Sequence, residues 1–150
     1  MNQKLIGFAL VTLAVVAGMA FMTNNGTSEG GQIPYQDVAS VQAGKQIYQA
    51  QCVACHGTDL QGQANWRTRN ANGRLPAPPH NEEGHTWHHS DEMLIGMVTH
   101  GVEAYAPDGY QSDMPAYKSI LEKQQILSVL AYIKSTWPEE IQQRHNQIAK

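Results

Sequence analysis

The sequence predicts an all-α fold. Its clearest helix runs from Glu122 to Trp137, where Ile126, Val129, Leu130 and Ile133 follow the i, i+3, i+4, i+7 spacing that gives a helix one apolar face. Two other segments, one after Ser90 and one after Pro138, begin with residues that typically start a helix. No segment has the β-branched composition and apolar–polar alternation that predict a strand. We therefore expect helices joined by irregular chain.

Two further helices are expected before the Glu122 helix. Val38 to Gln51 is a helix candidate that leads directly into the cysteine motif described below. Ser90 is a suitable N-cap for a second helix, because Asp91 and Glu92 then lie in its first turn and complement the helix dipole. Gly101 supplies a stop at the C-terminal end of that helix.

The remaining chain predicts loops and a linker. Thr58 to Glu83 is rich in Gly, Asn and Pro, so we expect it to be irregular and to need something that orders it. Residues 23–36 indicate a flexible linker, and the folded domain is expected over 37–138. Residues 139–150 form a short polar C-terminal tail that Pro138 could start as a helix.

The N-terminal 22 residues predict export. Leu5 to Met22 is an uncharged run of 18 residues behind Lys4. A cleavable signal has an apolar region of about 7–15 residues, whereas a membrane-spanning helix needs about 17–25. Its length therefore favours an anchor over residues 1–22, while Gly18-Met19-Ala20 keeps a cleaved secretory signal as the alternative. The positive-inside rule then places the rest of the chain outside the cytoplasm.

The chain carries one motif with a specific chemistry, Cys52-Val53-Ala54-Cys55-His56. C-x-x-C-H is the attachment sequence of c-type haem. Its two thiols can add to the two vinyl groups of one porphyrin, and His56 then reaches the iron as the proximal ligand. The motif therefore predicts one covalent haem c. Thioether attachment in bacteria also fits export to the periplasmic side of the cytoplasmic membrane.

Other uses of these cysteines are less consistent with the sequence. Both cysteines of the chain lie in the motif, and a bridge between them would close almost no loop. A zinc site would need further ligands at similar spacing. A thioredoxin-like pair should follow a buried strand, but a helix is predicted before Cys52.

Met114 is the candidate for the second axial ligand. It lies in a loop before the last predicted helix, and Pro115 stiffens the backbone after it. Met93 and Met97 compete, although at i, i+4 on an amphipathic helix they are typical core residues. His100 is a further candidate, and a His/His pair would lower the reduction potential relative to His/Met.

Together these residues resemble class I c-type cytochromes over Val41 to Trp137. Gly44 and Tyr48 resemble the first helix of that family, where a glycine allows close approach of the last helix and an aromatic ring packs on it. Ala131-Tyr132-Ile133 resembles the partner segment of the last helix, and Asp113-Met114-Pro115 resembles the axial methionine loop.

The resemblance also implies a partner for the proximal histidine. Ala77-Pro78-Pro79 resembles the loop whose proline carbonyl accepts a hydrogen bond from that ring, and such a bond fixes ligand orientation and basicity. Pro76, Pro78 and Pro79 are candidates, and Pro78 is favoured. The resemblance further implies about four helices around one covalently bound haem, and outer-sphere electron transfer rather than enzymatic catalysis.

The chain departs from simple family members in the segment Trp66 to His89, called the insert below. Its arginines can form bidentate bonds with haem propionates, and a buried indole N–H is a ready donor. The alternative is a solvated loop. Candidates for propionate contact are Trp66, Arg67, Arg69, Arg74 and Trp87.

Four histidines of the insert suggest a second hypothesis. Imidazole suits copper and zinc, so a metal site is conceivable, although no cysteine or carboxylate completes one. The alternative is that one or two imidazoles contact propionates or cap the Ser90 helix while the others face water. The four residues are His80, His85, His88 and His89.

The expected function is single-electron transfer by a monohaem cytochrome on the periplasmic side of the bacterial membrane, anchored by its N-terminal helix or soluble there after signal cleavage. Its partners would be redox proteins, and the net charge of −3 gives no sign of nucleic-acid binding. One alternative is a haem-based enzyme or ligand sensor with a labile sixth position. Another is a fixed cytochrome subunit of a dehydrogenase or oxidase, which an anchor would favour.

Overall fold

The computed structural model describes residues 32–149, over which the chain forms five α-helices and no strand. Their bounds are α1 Val38–Gln51, α2 Val53–His56, α3 Asp91–His100, α4 Lys123–Ser135 and α5 Glu139–Ile148. Short 3-10 turns lie at Thr86–His88 and Val102–Tyr105. The all-α prediction is therefore confirmed for the described part of the chain.

Side chains start the three long helices where the sequence places them. Asp37 accepts a hydrogen bond from the first turn of α1 at 2.9 Å, and Ser90 does the same for α3 at 3.3 Å. At the start of α4, the Gln125 amide oxygen accepts the N–H of Glu122 at 2.9 Å. These bonds satisfy amides that have no partner within the helix.

α1 and α4 meet in direct backbone contact at Gly44. A Cβ atom on Gly44 would lie 1.8 Å from Ser128 O and 3.0 Å from Tyr132 Cβ, so a larger residue does not fit. One turn along α1, the buried Tyr48 ring packs on the Tyr132 ring with centroids 5.4 Å apart. The helix contact implied by the family resemblance is therefore present.

Two apolar clusters lie on either side of this helix pair. The apolar face predicted for α4 is shared between them, and all four of its positions are buried. The first cluster joins α3, α4 and the chain before α4 through Leu94, Tyr117, Leu121, Ile126 and Leu130. The second joins α1, α4 and α5 through Tyr48, Val129, Ile133, Trp137 and Ile141.

The packed chain extends beyond the expected boundaries of 37–138 at both ends. Residues 32–36 fall in the expected linker, yet Ile33 is only 1 % exposed and its N–H donates to Asp91 Oδ2 at 3.0 Å. Residues 139–148 form α5, in which Ile141 and His145 are buried one turn apart. The polar composition of this tail hid the narrow apolar stripe by which α5 packs on the domain.

Buried polar groups join these two ends. Lys134 is 1 % exposed, and its Nζ donates to Asn146 Oδ1 at 2.7 Å and lies 4.4 Å from the centroid of the Tyr35 ring. His145 Nε2 donates to the carbonyl of His89 at 3.0 Å. The same nitrogen lies 3.6 Å from Asp91 Oδ1. α5 and the N-terminal segment are thus fixed by buried hydrogen bonds and a cation–ring contact as well as by apolar contact.

Within residues 32–149, no helix is long and apolar enough to cross a bilayer. The expected anchor or signal segment, residues 1–22, and residues 23–31 of the expected linker lie outside the described residues.

Gly44→Ala should lower the free energy of unfolding by about 1–3 kcal/mol, because the added methyl group collides with the Ser128 carbonyl. The same change at an open helical position would raise stability by about 0.5–1 kcal/mol, so the sign tests the contact. Urea unfolding followed by circular dichroism measures the difference. Gln46→Ala, on the exposed side of α1, is the control. A Gly44→Ala protein as stable as wild type would contradict the close approach.

His145 should make the protein less stable in acid. Burial, and then the nearby Lys134, lower the pKa of His145 to about 4, against 6.5 in the unfolded chain. The unfolded state therefore binds more protons between these values, and the free energy of unfolding falls as pH falls from 6.5 towards 4.

Between pH 7 and pH 4.5 this contribution is about 2–3 kcal/mol, and His145→Gln should remove it from the difference between the free energies of unfolding measured in urea at these two pH values. His100→Gln, at the exposed end of α3, controls for loss of an imidazole. An unchanged pH dependence in His145→Gln would show that this ring is not the group responsible.

Candidate haem-binding site

A cavity of about 710 Å³ lies between α2, α3, α4 and the loops that precede and follow α3. Its volume is within the range of about 300–1,000 Å³ typical of small-molecule and cofactor sites. Both apolar clusters border it, through Leu94, Leu130 and Ile133 among others. The cavity therefore occupies the centre of the predicted core.

The cysteine motif forms one wall of this cavity. Cys52 ends α1, where its N–H donates to Tyr48 O at 2.8 Å, and the next residues wind a single helical turn, α2. Gly57, at φ 80°, stops that turn directly after the motif. This geometry brings Cys52, Cys55 and His56 to the cavity together. Both thiols are free, and burial followed by the influence of Cys55 raises the pKa of Cys52 to about 11.

His56 is oriented for metal ligation. Its side chain is buried, and its Nδ1 lies 2.9 Å from the carbonyl oxygen of Pro78, to which it donates. Burial lowers the pKa of His56, so the ring is neutral at pH 7 and Nε2 keeps its lone pair. The proline contact implied by the family resemblance is therefore present at Pro78.

His80 supports His56 from the side. The two rings stack with centroids 4.0 Å apart and an angle of 21°. His80 Nδ1 is 2.8 Å from Thr86 Oγ1, and the His80 carbonyl accepts the indole N–H of Trp137 at 2.7 Å. Burial holds the pKa of His80 well below its usual value, so it stays neutral beside His56. Trp137 belongs to the second cluster, so this cluster holds His80 in place and, through the stacked rings, also His56.

Met114 also lines the cavity, on the loop between the Val102–Tyr105 turn and α4. Met97 of α3 is a second methionine on the cavity lining. Met93 is 38 % exposed and His100 is exposed at the end of α3, and neither borders the cavity. Of the three residues that compete with Met114 for the second axial position on sequence grounds, Met97 is therefore the one that borders the cavity.

The insert meets the cavity through fewer residues than expected. Trp66 lines the cavity, whereas Arg67 sits over the Trp66 ring, 4.0 Å from its centroid. Arg69 faces the Tyr110 ring, and Trp87 stacks on the His88 ring. Arg67, Arg69 and Trp87 do not line the cavity themselves, although Trp66 and Tyr110, the rings that the two arginines face, do. Propionate contact by Arg67, Arg69 and Trp87 stays a prediction.

The metal hypothesis for the four histidines also needs correction. Among residues 32–149, no group of three or more His, Cys, Asp or Glu side chains is arranged to hold a metal ion. His80 stacks on His56, His88 stacks on Trp87, and His85 stacks on Trp66 at 5.4 Å. Each of these three imidazoles therefore packs against another ring.

Tyr117 is a cavity residue that escaped the sequence reasoning, whereas His85 and His89 belong to the four histidines for which propionate contact is one expectation. His85 and His89 line the cavity beside Trp66, and Tyr117 closes it near α1, where its hydroxyl donates to Gln51 O at 2.9 Å. Tyr117 follows Met114 by three residues, and this proximity to the candidate ligand was the signal that could have placed it at the cavity. Contacts across the fold decide the places of the two histidines.

The donor set fits a c-type haem. Two thiols, an imidazole with a free Nε2 and a thioether sulfur converge on a largely apolar cavity, which is the set that covalent attachment and two axial bonds require. Polar groups on the cavity lining, including the Trp66 and His85 rings, supply donors for carboxylates. Nothing in this lining conflicts with haem.

Comparison with known proteins gives the same result. The model of the cytochrome c family matches residues 41–137. Cytochrome c-551 of Bacillus subtilis (strain 168) is 36 % identical over 58 residues, which are 39 % of this chain and 48 % of that protein. The chain thus spans about half the length of this curated relative. No solved structure matches the chain significantly.

Preventing haem attachment should unfold most of this domain. A cavity of about 710 Å³ lined by apolar side chains would cost on the order of 10 kcal/mol without a group to pack on, which is comparable to the whole stability of a domain.

The double variant Cys52→Ser/Cys55→Ser, prepared free of haem, should therefore lose most of its helical circular dichroism and its cooperative melting. Gln46→Ala with haem attached is the folded control. A haem-free variant that melts cooperatively with wild-type helicity would show that the fold does not depend on haem.

Proposed function

The chain belongs to the cytochrome c family, and we propose that it is a single-electron carrier with one haem c in a periplasmic or membrane-bound electron-transfer chain. The observation that carries this proposal is the single cavity on which Cys52, Cys55, His56 and Met114 converge. Bound there, haem supplies an iron that changes its oxidation state by one electron without bond making in the protein.

The protein residues hold the haem and set its ligands. Cys52 and Cys55 would form the thioether bonds, and His56 would be the proximal ligand. The carbonyl of Pro78 accepts from His56 Nδ1, which leaves Nε2 free to bind iron and would make it a stronger donor. Trp66 is proposed to contact the haem carboxylates, since it is the one predicted indole on the cavity lining.

Met114 is proposed as the sixth ligand. Its thioether would complete the coordination of the iron and raise the reduction potential relative to His/His ligation. The backbone at Met114 is restrained locally, because its N–H donates to Ser112 Oγ at 3.1 Å and Pro115 follows. Met97 lies within a regular turn of α3 rather than on a loop, and both methionines pack against the first cluster.

Six-coordinate iron favours electron transfer over catalysis, because no position is left for a substrate. The alternative of a haem enzyme or ligand sensor requires that Met114 be absent from the iron or leave it readily. The two possibilities differ in how fast the reduced protein binds carbon monoxide.

The cell compartment is proposed from the sequence. The uncharged run Leu5 to Met22 behind Lys4 supports export and a membrane anchor, with signal cleavage as the alternative. A tether would raise the effective concentration of the domain at a membrane partner, which also suits a fixed subunit of a dehydrogenase or oxidase. Redox proteins are the proposed partners, and the net charge of −3 favours basic ones.

Met114→Ala tests the proposed ligand. The ferric wild-type protein should show the weak sulfur-to-iron band near the red end of the visible spectrum, and Met114→Ala should lack it. The variant should also have a lower reduction potential and bind carbon monoxide rapidly when reduced, because its sixth position is open.

Met97→Leu is the matched control, since it removes the other sulfur that lines the cavity and keeps its volume nearly unchanged. This variant should retain the band. Loss of the band in Met97→Leu but not in Met114→Ala would transfer the assignment to Met97. A wild-type protein with no band and with rapid carbon monoxide binding would support the enzyme or sensor alternative.

A further inference from the structure

The arginines of the insert face the loop that carries Met114. Arg74 pairs through Nη1 with the carboxylate of Asp113, the residue directly before Met114. The guanidinium carbon of Arg69 lies 5.5 Å from the centroid of the Tyr110 ring, four residues before Met114. Tyr110 and Asp113 both line the cavity. The insert therefore contacts the loop at the rim of the cavity.

The insert presents Arg74 from a closed turn. The Asn70 side chain accepts the N–H groups of Asn72 at 2.9 Å and Arg74 at 3.0 Å. The Asn70 N–H donates to the Arg74 carbonyl at 2.8 Å, and Arg69 Nη1 donates to Gly73 O at 2.5 Å. Because both the N–H and the carbonyl of Arg74 are hydrogen-bonded to Asn70, the backbone from which the guanidinium extends is held in place.

The Met114 loop, residues 107–116, has little support of its own. In the described structure, the amides from Gln111 to Ala116 donate to no backbone carbonyl. Two side-chain bonds hold this stretch, from Ser112 N to Glu103 Oε1 at 2.8 Å and from Met114 N to Ser112 Oγ. The ion pair with Arg74 and the contact of Arg69 with the Tyr110 ring join the loop to the insert, and the ion pair is the one next to Met114.

We propose that Arg74 is a positioning residue for Met114, which holds the methionine loop closed over the cavity through Asp113. This inference rests on the proposed assignment of Met114 as the sixth ligand. The insert thereby acts on iron ligation from outside the cavity, by limiting how often the loop opens. Its other charges near the loop are Arg69 on the insert, and Asp108 and Glu103 on the loop side.

The rate of carbon monoxide binding to the reduced haem protein reports loop opening, because Met114 must leave the iron first. Carbon monoxide is uncharged, so altered surface charge does not steer it. Arg74→Gln and Asp113→Asn should each raise the rate about two- to five-fold, the range expected when an exposed ion pair is lost. The double variant should be no faster than the faster single variant, since both remove one interaction.

Arg144→Gln is the matched control. It removes the same charge, but Arg144 is exposed on α5 and does not line the cavity. It should leave the rate unchanged. Arg74→Lys should restore part of the wild-type rate, because the charge remains while the planar fork is lost.

Salt provides an independent readout. The Debye length shrinks from about 8 Å at physiological ionic strength to about 3 Å at 1 M, so salt weakens an exposed pair. The wild-type rate should rise with salt towards that of Arg74→Gln, and the rates of both single variants should change little. A purely structural role of Arg74 would not produce this convergence.

The outcomes separate the two proposals. A wild-type protein that shows the sulfur-to-iron band, with Arg74→Gln and Asp113→Asn no faster than Arg144→Gln, would overturn the role of Arg74 and leave Met114 as ligand. Additive effects in the double variant would also overturn it. A wild-type protein without the band would overturn the ligand assignment itself, and the positioning role with it.

Discussion

The contact between α1 and α4 at Gly44 governs the arrangement of the site. Because residue 44 has no side chain, the backbone of α1 lies against the Ser128 carbonyl, and Tyr48 and Tyr132 pack one turn further on. α1 ends at Cys52, so this crossing also fixes where the cysteine motif begins. α4 supplies the opposite wall through Leu130 and Ile133. Two walls of the cavity thus follow from one helix crossing.

The proximal histidine is held by a continuous set of contacts that leads back to the same helix pair. His56 donates to the Pro78 carbonyl and stacks on the His80 ring. It lies at the end of α2, where the Tyr48 hydroxyl donates to Gly57 O at 2.9 Å. The His80 carbonyl in turn accepts from Trp137 at the end of α4. Ligand orientation therefore depends on core packing rather than on the motif alone.

Polar contacts between residues that are distant in sequence hold both the insert and the two ends of the described chain. Arg74 reaches Asp113, Asp91 reaches Ile33, and the Lys134–Asn146 pair joins α4 to α5. The first of these lies at the rim of the cavity, where a weak pair biases a loop. The others are buried, where they fix the docking of α5 and the N-terminal segment.

The sequence alone determined helices α1, α3 and α4, the haem-attachment motif and the candidates for the axial ligands. These depend on local physics: apolar spacing and caps set α1, α3 and α4 to within a residue or two, and C-x-x-C-H specifies its own attachment chemistry. The contact of Gly44 with the last helix also followed, because the resemblance to class I cytochromes supplied the tertiary partner.

The tertiary structure alone decided which side chains of the insert reach the cavity and which ends belong to the packed domain. Arg67 and Arg69 carry the right charge for haem carboxylates, but neither lines the cavity itself: Arg67 lies over the Trp66 ring, and Arg69 faces the Tyr110 ring. Likewise α5 has a polar composition, and its burial depends on where Asp91 and Lys134 lie. A long-range partner leaves no periodic signal in the chain, because its position is fixed only when distant segments pack together.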